Sequence, residues 1–272
     1  MLGARCGTIP AGMPMVTKNT GLQIQSLTVE IEGKQVVDDF SLTIPPGECH
    51  VLMGPNGSGK SSLAYALAGH PNYNVTSGSV LLDSNDVLAL SPDQRAQLGL
   101  MLAFQYPVSV PGLSVWQFLW QAYQQRFKTD VPKGGKKIAK AIDFIKSLEK
   151  LAKKVRMPAE MLKRGLNEGF SGGEKKRLEV LQLLVLEPKF AILDETDSGL
   201  DIDAIKIIAK NIEQLTREYG IGCLLITHYQ RLLKYVVPDW IHIMFAGSIV
   251  RSGDYSLAEE VEKTGYTKYQ NK

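Results

Sequence analysis

Apolar residues recur along the chain in two patterns, one typical of strands and one typical of helices. Residues 22–31 (LQIQSLTVEI) alternate apolar with polar side chains, and Gly33 predicts a turn into a second strand that ends before Pro45. Short apolar runs then recur, separated by helical stretches, near residues 49–53, 80, 100–104, 190–194, 223–227 and 240–245. Alternating strands and helices predict an α/β fold with a mostly parallel sheet covered on both faces.

Residues 109–166 interrupt this rhythm. Ser114 is a candidate N-cap for the helical segment that starts at Val115. After a loop, apolar residues recur at helical spacing at Ile138, Ile142, Ile145 and Leu148. We therefore predict a helical subdomain at 109–166, inserted into a core formed by residues 21–108 and 167–272.

Residues 1–20 show neither periodicity nor the apolar segment of a signal peptide. We interpret them as a disordered tail, or as an over-extended start before Met13 or Met15. Their lack of acidic residues leaves a short transit peptide as the alternative.

Composition restricts the class of protein. Charged residues make up 22% and apolar residues 44% of the chain, as in an ordinary soluble globular domain. No apolar run approaches the roughly 18 residues of a membrane helix, so we expect any membrane role to depend on a partner. The net charge of +3 is too small to indicate nucleic-acid binding. Cys6, Cys49 and Cys223 lack metal-ligand spacing, which predicts reduced structural thiols and no metal cluster in this chain.

The predicted insert is strongly basic. Residues 128–164 contain twelve Lys or Arg and four Asp or Glu, a net charge of +8. A solvated helix face is the simpler explanation of such a charge run, and a docking surface for an acidic partner is the alternative.

Residues 54–61 (GPNGSGKS) fit the pattern GxxxxGK[ST] between a predicted strand and a predicted helix. The glycines allow backbone N–H groups to surround phosphate oxygens, and the helix start attracts the same anion. Lys60 is expected to reach the β- and γ-phosphates of ATP, and the Ser61 hydroxyl to bind Mg²⁺. The predicted nucleotide-binding residues here are Gly54, Pro55, Asn56, Gly57, Ser58, Gly59, Lys60, Ser61 and Ser62.

A second site element is the apolar strand FAILD, which ends in Asp194 and is followed by Glu195. Downstream of a phosphate-binding loop, these two carboxylates predict a hydrolytic site. We expect Asp194 to hold Mg²⁺, and Glu195 to act as the general base for the attacking water.

A third element is a second glycine-rich helix start, formed by Ser171, Gly172, Gly173 and Glu174. Ser171 is placed as an N-cap, and the glycines let a phosphate approach the backbone closely. The segment FSGGE resembles the LSGGQ signature of ABC ATPases, with Phe for Leu and Glu for Gln. The resemblance implies a P-loop NTPase core with an N-terminal antiparallel β subdomain and an inserted α-helical subdomain.

The ABC resemblance also assigns roles to single residues. In that family the signature binds the γ-phosphate held by the opposite subunit, which implies an ATP-dependent homodimer. Gln105 matches the glutamine that senses the metal and γ-phosphate, and His228 matches the switch histidine. Asp201 in SGLD matches the loop that crosses the dimer interface. Ile31 stands where the family often carries an adenine-stacking aromatic ring, so we expect weak discrimination between ATP and GTP.

Four segments are similar to a narrower family, the ATPase subunit of the Suf iron–sulfur cluster assembly machinery (the SufC type). They are FQYPVSVPG (104–112), NEGFSGGEKKR (167–177), LDETDSGLDID (193–203) and THYQRLLKYVVPD (227–239). The resemblance implies a cytoplasmic ATPase, or one of the plastid stroma in a eukaryote, that works with soluble Suf-type scaffold proteins. Direct binding of nucleic acid and direct membrane insertion are not expected.

Three other functions use the same motifs. The first is an ATP-binding subunit of a membrane ABC transporter, which only the partner distinguishes. The second is an ABC ATPase that acts on DNA or ribosomes, which would depend on the basic insert; however, that insert lacks clustered base-stacking aromatics. The third is a scaffold that binds ATP without hydrolysis, against which intact Glu195 and His228 argue.

Overall fold

A computed structural model describes residues 20–103, 107–196, 200–227 and 230–269. Its strands are β1 (Leu22–Ile31), β2 (Lys34–Ile44), β3 (Cys49–Met53), β4 (Asn74–Leu82), β5 (Asn85–Asp86), β6 (Leu100–Ala103), β7 (Val110–Ser114), β8 (Gly165–Leu166), β9 (Phe190–Asp194), β10 (Gly222–Ile226), β11 (Trp240–Phe245) and β12 (Ser248–Gly253). Its α-helices are α1 (Lys60–Ala68), α2 (Pro92–Leu98), α3 (Val115–Arg126), α4 (Ala141–Lys154), α5 (Gly172–Leu186), α6 (Ile202–Arg217), α7 (Gln230–Leu233) and α8 (Tyr255–Thr264).

The central sheet has the strand order β12-β11-β3-β10-β9-β6. All neighbouring strands pair in parallel except β12, which is antiparallel to β11. Every residue of β3, β9 and β10 is buried, which explains their continuous apolar runs. The mostly parallel α/β sheet predicted from the sequence is therefore confirmed.

A second sheet, with the order β2-β1-β4-β5, is antiparallel throughout and forms the predicted N-terminal β subdomain. Its apolar side chains share one buried cluster with residues of the central sheet and α1, among them Phe40, Leu63, Phe190 and Leu224. This cluster fixes the β subdomain over the helix that follows the phosphate-binding loop.

Between β6 and α5 the chain forms α3 and α4, in the region predicted to be helical. The short strands β7 and β8 pair with each other close to the two ends of this region. Ser114 and Gln117 form a capping box at the start of α3, as its sequence predicts. The domain bounds themselves stay a prediction.

Of the apolar residues whose helical spacing predicted this helix, Leu148 alone is among the fully buried residues of α4. Phe144, Leu148 and Ala152 are buried, whereas Ile142 is 58% exposed and Ile138 precedes the helix. The Phe144 ring packs 5.2 Å from that of Tyr123, measured between ring centroids. Aromatic contacts with α3 therefore determine the face that α4 buries.

Two histidines that the motifs do not use form a buried polar chain through the central sheet. His50 Nδ1 lies 3.0 Å from His242 Nε2, and His50 Nε2 lies 3.0 Å from a Glu48 carboxylate oxygen. His242 Nδ1 lies 2.7 Å from Ser252 Oγ. Burial lowers the pKa of His50, although Glu48 opposes the shift, and burial lowers the pKa of His242 to about 3.

These shifts predict that stability decreases in acid. In the unfolded chain both histidines become protonated as the pH falls below about 6.5, whereas in the folded state burial disfavours their protonated forms. The free energy of unfolding therefore falls as pH drops through that value. For His242 the loss is about 2 kcal/mol at pH 5. Urea unfolding at pH 7 and pH 5 measures it, and His242→Gln should reduce the difference. His70→Gln, at a half-exposed position, is the matched control; an equal effect of both variants would contradict the prediction.

Candidate nucleotide-binding site

The predicted phosphate-binding loop connects β3 to α1 at the edge of the central sheet. Gly59 is the residue before α1 and has φ 105° and ψ 0°, a conformation open to glycine. A Cβ atom at Gly59 would collide with the Val36 carbonyl oxygen. The Gly247 N–H donates to the Ser58 carbonyl over 3.0 Å and holds the loop from a second side. The loop is therefore fixed by surrounding backbone before any ligand binds.

Lys60 lies in the concavity of this loop and is 6% exposed. Its ammonium donates to the Gly54 and Pro55 carbonyls at 2.9 Å each, and to Ser58 Oγ at 3.3 Å. Burial lowers the pKa of Lys60, while the charges of Glu195 and Asp194 oppose that shift. The loop's own acceptors thus hold a buried cation where the motif predicts phosphate.

Asp194 ends β9 beside the loop and is 1% exposed. Burial raises the pKa of its carboxyl group, and a side-chain hydrogen bond with Ser61 opposes the shift. Its Oδ1 atom has no hydrogen-bond partner among the described residues. A buried carboxylate oxygen without a partner, next to a hydroxyl, matches the hard oxygen ligands that Mg²⁺ prefers. The residues present therefore fit the predicted metal.

Glu195 follows Asp194 with a positive φ of 49°, which is uncommon for a residue other than glycine. Its N–H donates to the Ile226 carbonyl over 2.9 Å, so the turn is attached to the end of β10. Strained backbone of this kind is often found at functional sites, and here it lies next to the candidate metal ligand.

Sequence reasoning missed two charged residues close to Asp194. Lys176 and Glu179 lie on α5, are 5% and 4% exposed, and form an ion pair of 3.0 Å. Burial raises the pKa of Glu179 to about 7, although Lys176 opposes the shift. The pattern that signals them is a lysine and a glutamate at i and i+3 on the apolar face of α5.

The predicted signature forms the start of α5. Ser171 and Glu174 make a reciprocal capping box: the Ser171 N–H donates to Glu174 Oε2 over 2.7 Å, and the Glu174 N–H donates to Ser171 Oγ over 3.3 Å. A Cβ atom at Gly172 would meet nothing within 4 Å, and one at Gly173 only Leu200 at 3.8 Å. This helix start is therefore open to a ligand from outside the chain.

The structure describes only some of the remaining predicted residues. Asp201 caps α6 by accepting the Ala204 N–H over 2.7 Å. Ile31 is half-buried at the β1–β2 turn, and the prediction on base selectivity stays open. Gln105 and His228 lie outside the described residues, as do residues 1–19 and Ser198. Their predicted roles stay predictions.

Comparison with known proteins agrees with this fold and site. A family profile described as "ABC transporter" matches residues 37–198. The chain therefore belongs to the ABC family and is an ATPase cassette that binds nucleotide. Among the described residues, the longest helix has 16 residues, and none meets the length and apolarity needed to cross a membrane.

Three individual relatives show which members of the ABC family this chain resembles in sequence. Vegetative protein 296 of Bacillus subtilis is 50% identical over 90% of this chain and 91% of its own length. The probable ATP-dependent transporter SufC of Escherichia coli is 45% identical over 90% of this chain and 97% of its own. A probable ATP-dependent transporter of Cyanophora paradoxa is 46% identical over 90% and 93%. The narrower resemblance to the SufC type is thus confirmed at the level of sequence.

Solved structures show the same fold. A nucleotide-free ATP-binding cassette from an ABC transporter has a TM-score of 0.70 and 23% identity, covering 90% of this chain and 95% of that one. A dimeric bacterial ABC transporter cassette has a TM-score of 0.70 and 19% identity, covering 86% and 98%.

The loop geometry predicts different effects for two glycines. Gly59→Ala combines a positive φ with a collision at a backbone carbonyl, so it should lower the free energy of unfolding by more than the cost of left-handed strain alone, which is about 1–2 kcal/mol. Gly57→Ala, at φ 77° with nothing within 4 Å, is the matched control and should cost only that strain. Urea denaturation measures both, and equal losses would show that the Val36 contact yields.

Proposed function

We propose that this ABC ATPase hydrolyses Mg·ATP in a transient sandwich dimer and thereby drives iron–sulfur cluster assembly on Suf-type scaffold proteins in the cytoplasm. The observation that carries the Suf assignment is the similarity, along nearly the whole chain, to the Escherichia coli protein named SufC. The dimer is supported by the open start of α5 and by the dimeric bacterial cassette of the same fold.

In the proposed mechanism, the Lys60 ammonium and the loop N–H groups bind the β- and γ-phosphates of ATP. Ser61 and Asp194 would hold Mg²⁺, which would supply positive charge that offsets the charge of the phosphates. Glu195 orients the attacking water and accepts its proton. Gln105 and His228 contact the metal and the γ-phosphate, respectively.

The second half of each site comes from another copy of the chain. The N–H groups at Gly172 and Gly173, with the N-terminus of α5 and the Ser171 hydroxyl, bind the γ-phosphate that the opposite subunit holds. Asp201 lies at the contact between the subunits. Since ATP contacts both copies only in the closed dimer, it binds that state more tightly, and such differential affinity is what drives closure. Hydrolysis removes the bridging phosphate and reopens the dimer.

An apolar groove offers a place for the partner protein. It has a volume of about 400 Å³ and lies between α1, α2, α3 and α5, with Ala96, Met101, Leu102, Ala122 and Leu186 among its lining residues. Because Leu102 is three residues before Gln105, a partner in this groove is close in the chain to the predicted γ-phosphate sensor. We propose that the scaffold docks on residues 104–166; the groove includes part of α3 within this segment and extends the proposed surface to α1, α2 and α5.

The second candidate is an ATP-binding subunit of a membrane transporter. The observation in its favour is that several relatives are named as probable transporters. Co-purification of the native complex decides between the two functions: soluble scaffold proteins support the first, and an integral membrane protein supports the second.

The catalytic assignment predicts that Glu195→Gln binds Mg·ATP normally, loses roughly 10²–10⁴-fold in turnover as expected for a missing general base, and accumulates as an ATP-bound dimer. Lys60→Ala should instead weaken nucleotide binding, because it removes the buried phosphate-binding cation. Equilibrium nucleotide binding, phosphate release and sedimentation measure the three quantities. Similar binding defects in both variants would refute the separate roles.

Docking of the scaffold predicts that Ala122→Glu, in the groove, and Val108→Asp, at an exposed residue of the segment 104–112, abolish scaffold binding and its stimulation of ATPase activity, and leave basal hydrolysis nearly unchanged. A charge placed in an apolar contact loses its hydration without gaining a partner. Val237→Asp, at an exposed valine that is 69% accessible and lies outside residues 104–166, is the matched control. Reversing the charges of Lys136, Lys137 and Lys140 should mainly slow association and reduce its salt dependence. Wild-type scaffold binding by both the Ala122 and the Val108 variants would place the docking surface elsewhere.

A further inference from the structure

Two segments that overlap the SufC-type sequence motifs lie against each other in the structure. The first, here called the docking segment, is residues 107–114, which include β7 and the 76% exposed Val108. The second, here called the signature loop, is residues 164–170, which include β8 and lead into the N-cap Ser171 of α5. Antiparallel pairing of β7 with β8 joins the two segments along their backbones.

Asn167 adds a side-chain connection between these segments. Its Nδ2 group donates to the Val108 carbonyl oxygen over 2.9 Å. Asn167 is 5% exposed, and its φ of 58° is a left-handed conformation that asparagine adopts more readily than most residues. Its Oδ1 atom has no hydrogen-bond partner among the described residues. Since a buried polar group left unpaired is costly, the bond to Val108 holds the signature loop on the docking segment.

The signature loop is itself constrained up to the start of α5. The Arg164 guanidinium donates to the Glu168 carbonyl over 2.9 Å and to the Gly169 carbonyl over 3.3 Å, and it lies 4.9 Å from the centroid of the Phe170 ring. Phe170 is buried in the main apolar cluster and directly precedes Ser171. A displacement of the docking segment is therefore passed along the loop to the N-cap of α5.

We propose that Asn167 is a positioning residue that couples the docking segment to the start of α5, so that a partner bound at Val108 and a γ-phosphate bound at Ser171 affect each other. The inference rests on the proposed sandwich dimer, in which that phosphate belongs to the opposite subunit. Coupling between two binding events is reciprocal, so ATP-driven closure must change the docking segment even without a partner. A hydrogen bond between neutral groups limits the effect to about 2–10-fold.

The test measures hydrogen–deuterium exchange in the full chain, in the Glu195→Gln background that accumulates the ATP-bound dimer. Mg·ATP should slow exchange at residues 171–175, which contact phosphate in the dimer, and slow it about 2–10-fold in the docking segment. Adding Asn167→Gly keeps a residue that adopts positive φ and removes only the side chain. It should abolish the nucleotide-dependent slowing in the docking segment and retain it at residues 171–175.

Two further variants make the test specific. Asn167→Asp tolerates the same backbone conformation but presents an acceptor to the Val108 carbonyl, so it should act like Asn167→Gly. Asn211→Ala is the matched control, because Asn211 is also 5% exposed and its Nδ2 group donates to a backbone carbonyl, that of Ile207, over 2.7 Å within α6. It should leave the slowing unchanged in both segments.

The outcomes separate the coupling from the dimer. If the dimer forms but the docking segment is not slowed, or if the slowing survives in Asn167→Gly because it arrives through Gln105, the role of Asn167 is overturned. Loss of slowing at residues 171–175 in Asn167→Gly also overturns it, since general damage to the site would then explain the result. If sedimentation shows no dimer of the Glu195→Gln parent with Mg·ATP, the proposed sandwich dimer fails and the coupling fails with it.

Discussion

The site depends on parallel strands that end in register at one edge of a buried sheet. Ile226 of β10 pairs with Leu52 of β3 on one side and with Asp194 of β9 on the other. Parallel pairing therefore places three residues at the same level of the sheet. They are Leu52, which lies two residues before the phosphate-binding loop, the candidate metal ligand Asp194, and Ile226. Loops outside the carboxyl ends of parallel strands are the usual ligand sites of open α/β folds. Loss of register in β9 would move the Asp194 carboxylate away from the Lys60 ammonium group.

The same edge concentrates charge in a region with little water. Three carboxylates, those of Asp194, Glu195 and Glu179, act together with the ammonium groups of Lys60 and Lys176. When these five described groups are all ionised, the acids exceed the bases by one, which favours an additional cation at the Asp194 oxygen that lacks a hydrogen-bond partner. Nucleotide adds negative charge on the Lys60 side. We therefore expect the cation and the nucleotide to increase each other's affinity, because the positive charge of one offsets the negative charge of the other.

Much of this architecture could be predicted from local patterns. The runs at β1, β9 and β11 were predicted with the bounds that the structure shows, because alternation marks the half-exposed β1 and short apolar runs mark the buried strands. The spacing of the apolar residues in this region predicted a helix, and α4 is found there, but spacing alone did not identify its buried face, where contacts between the Phe144 and Tyr123 rings accompany Leu148. The His50–His242 contact joins residues 192 positions apart, and no local pattern signals it. Glu179 was missed for a related reason. Its ion-pair partner Lys176 lies on the same helix, but the charge of Asp194 that acts on it belongs to a distant strand.

The hydrogen bonds of Lys60 bear on how readily the site releases its product. Because the ammonium group already has two loop carbonyls and a hydroxyl as acceptors, phosphate must replace bonds that exist rather than satisfy a vacant donor. The net gain from such an exchange is much smaller than the strength of the new bonds. After hydrolysis, departing ADP returns the lysine to its own loop, so the ammonium never becomes a buried charge without partners. A cassette built in this way can exchange nucleotide repeatedly without a deep energetic trap in its cycle.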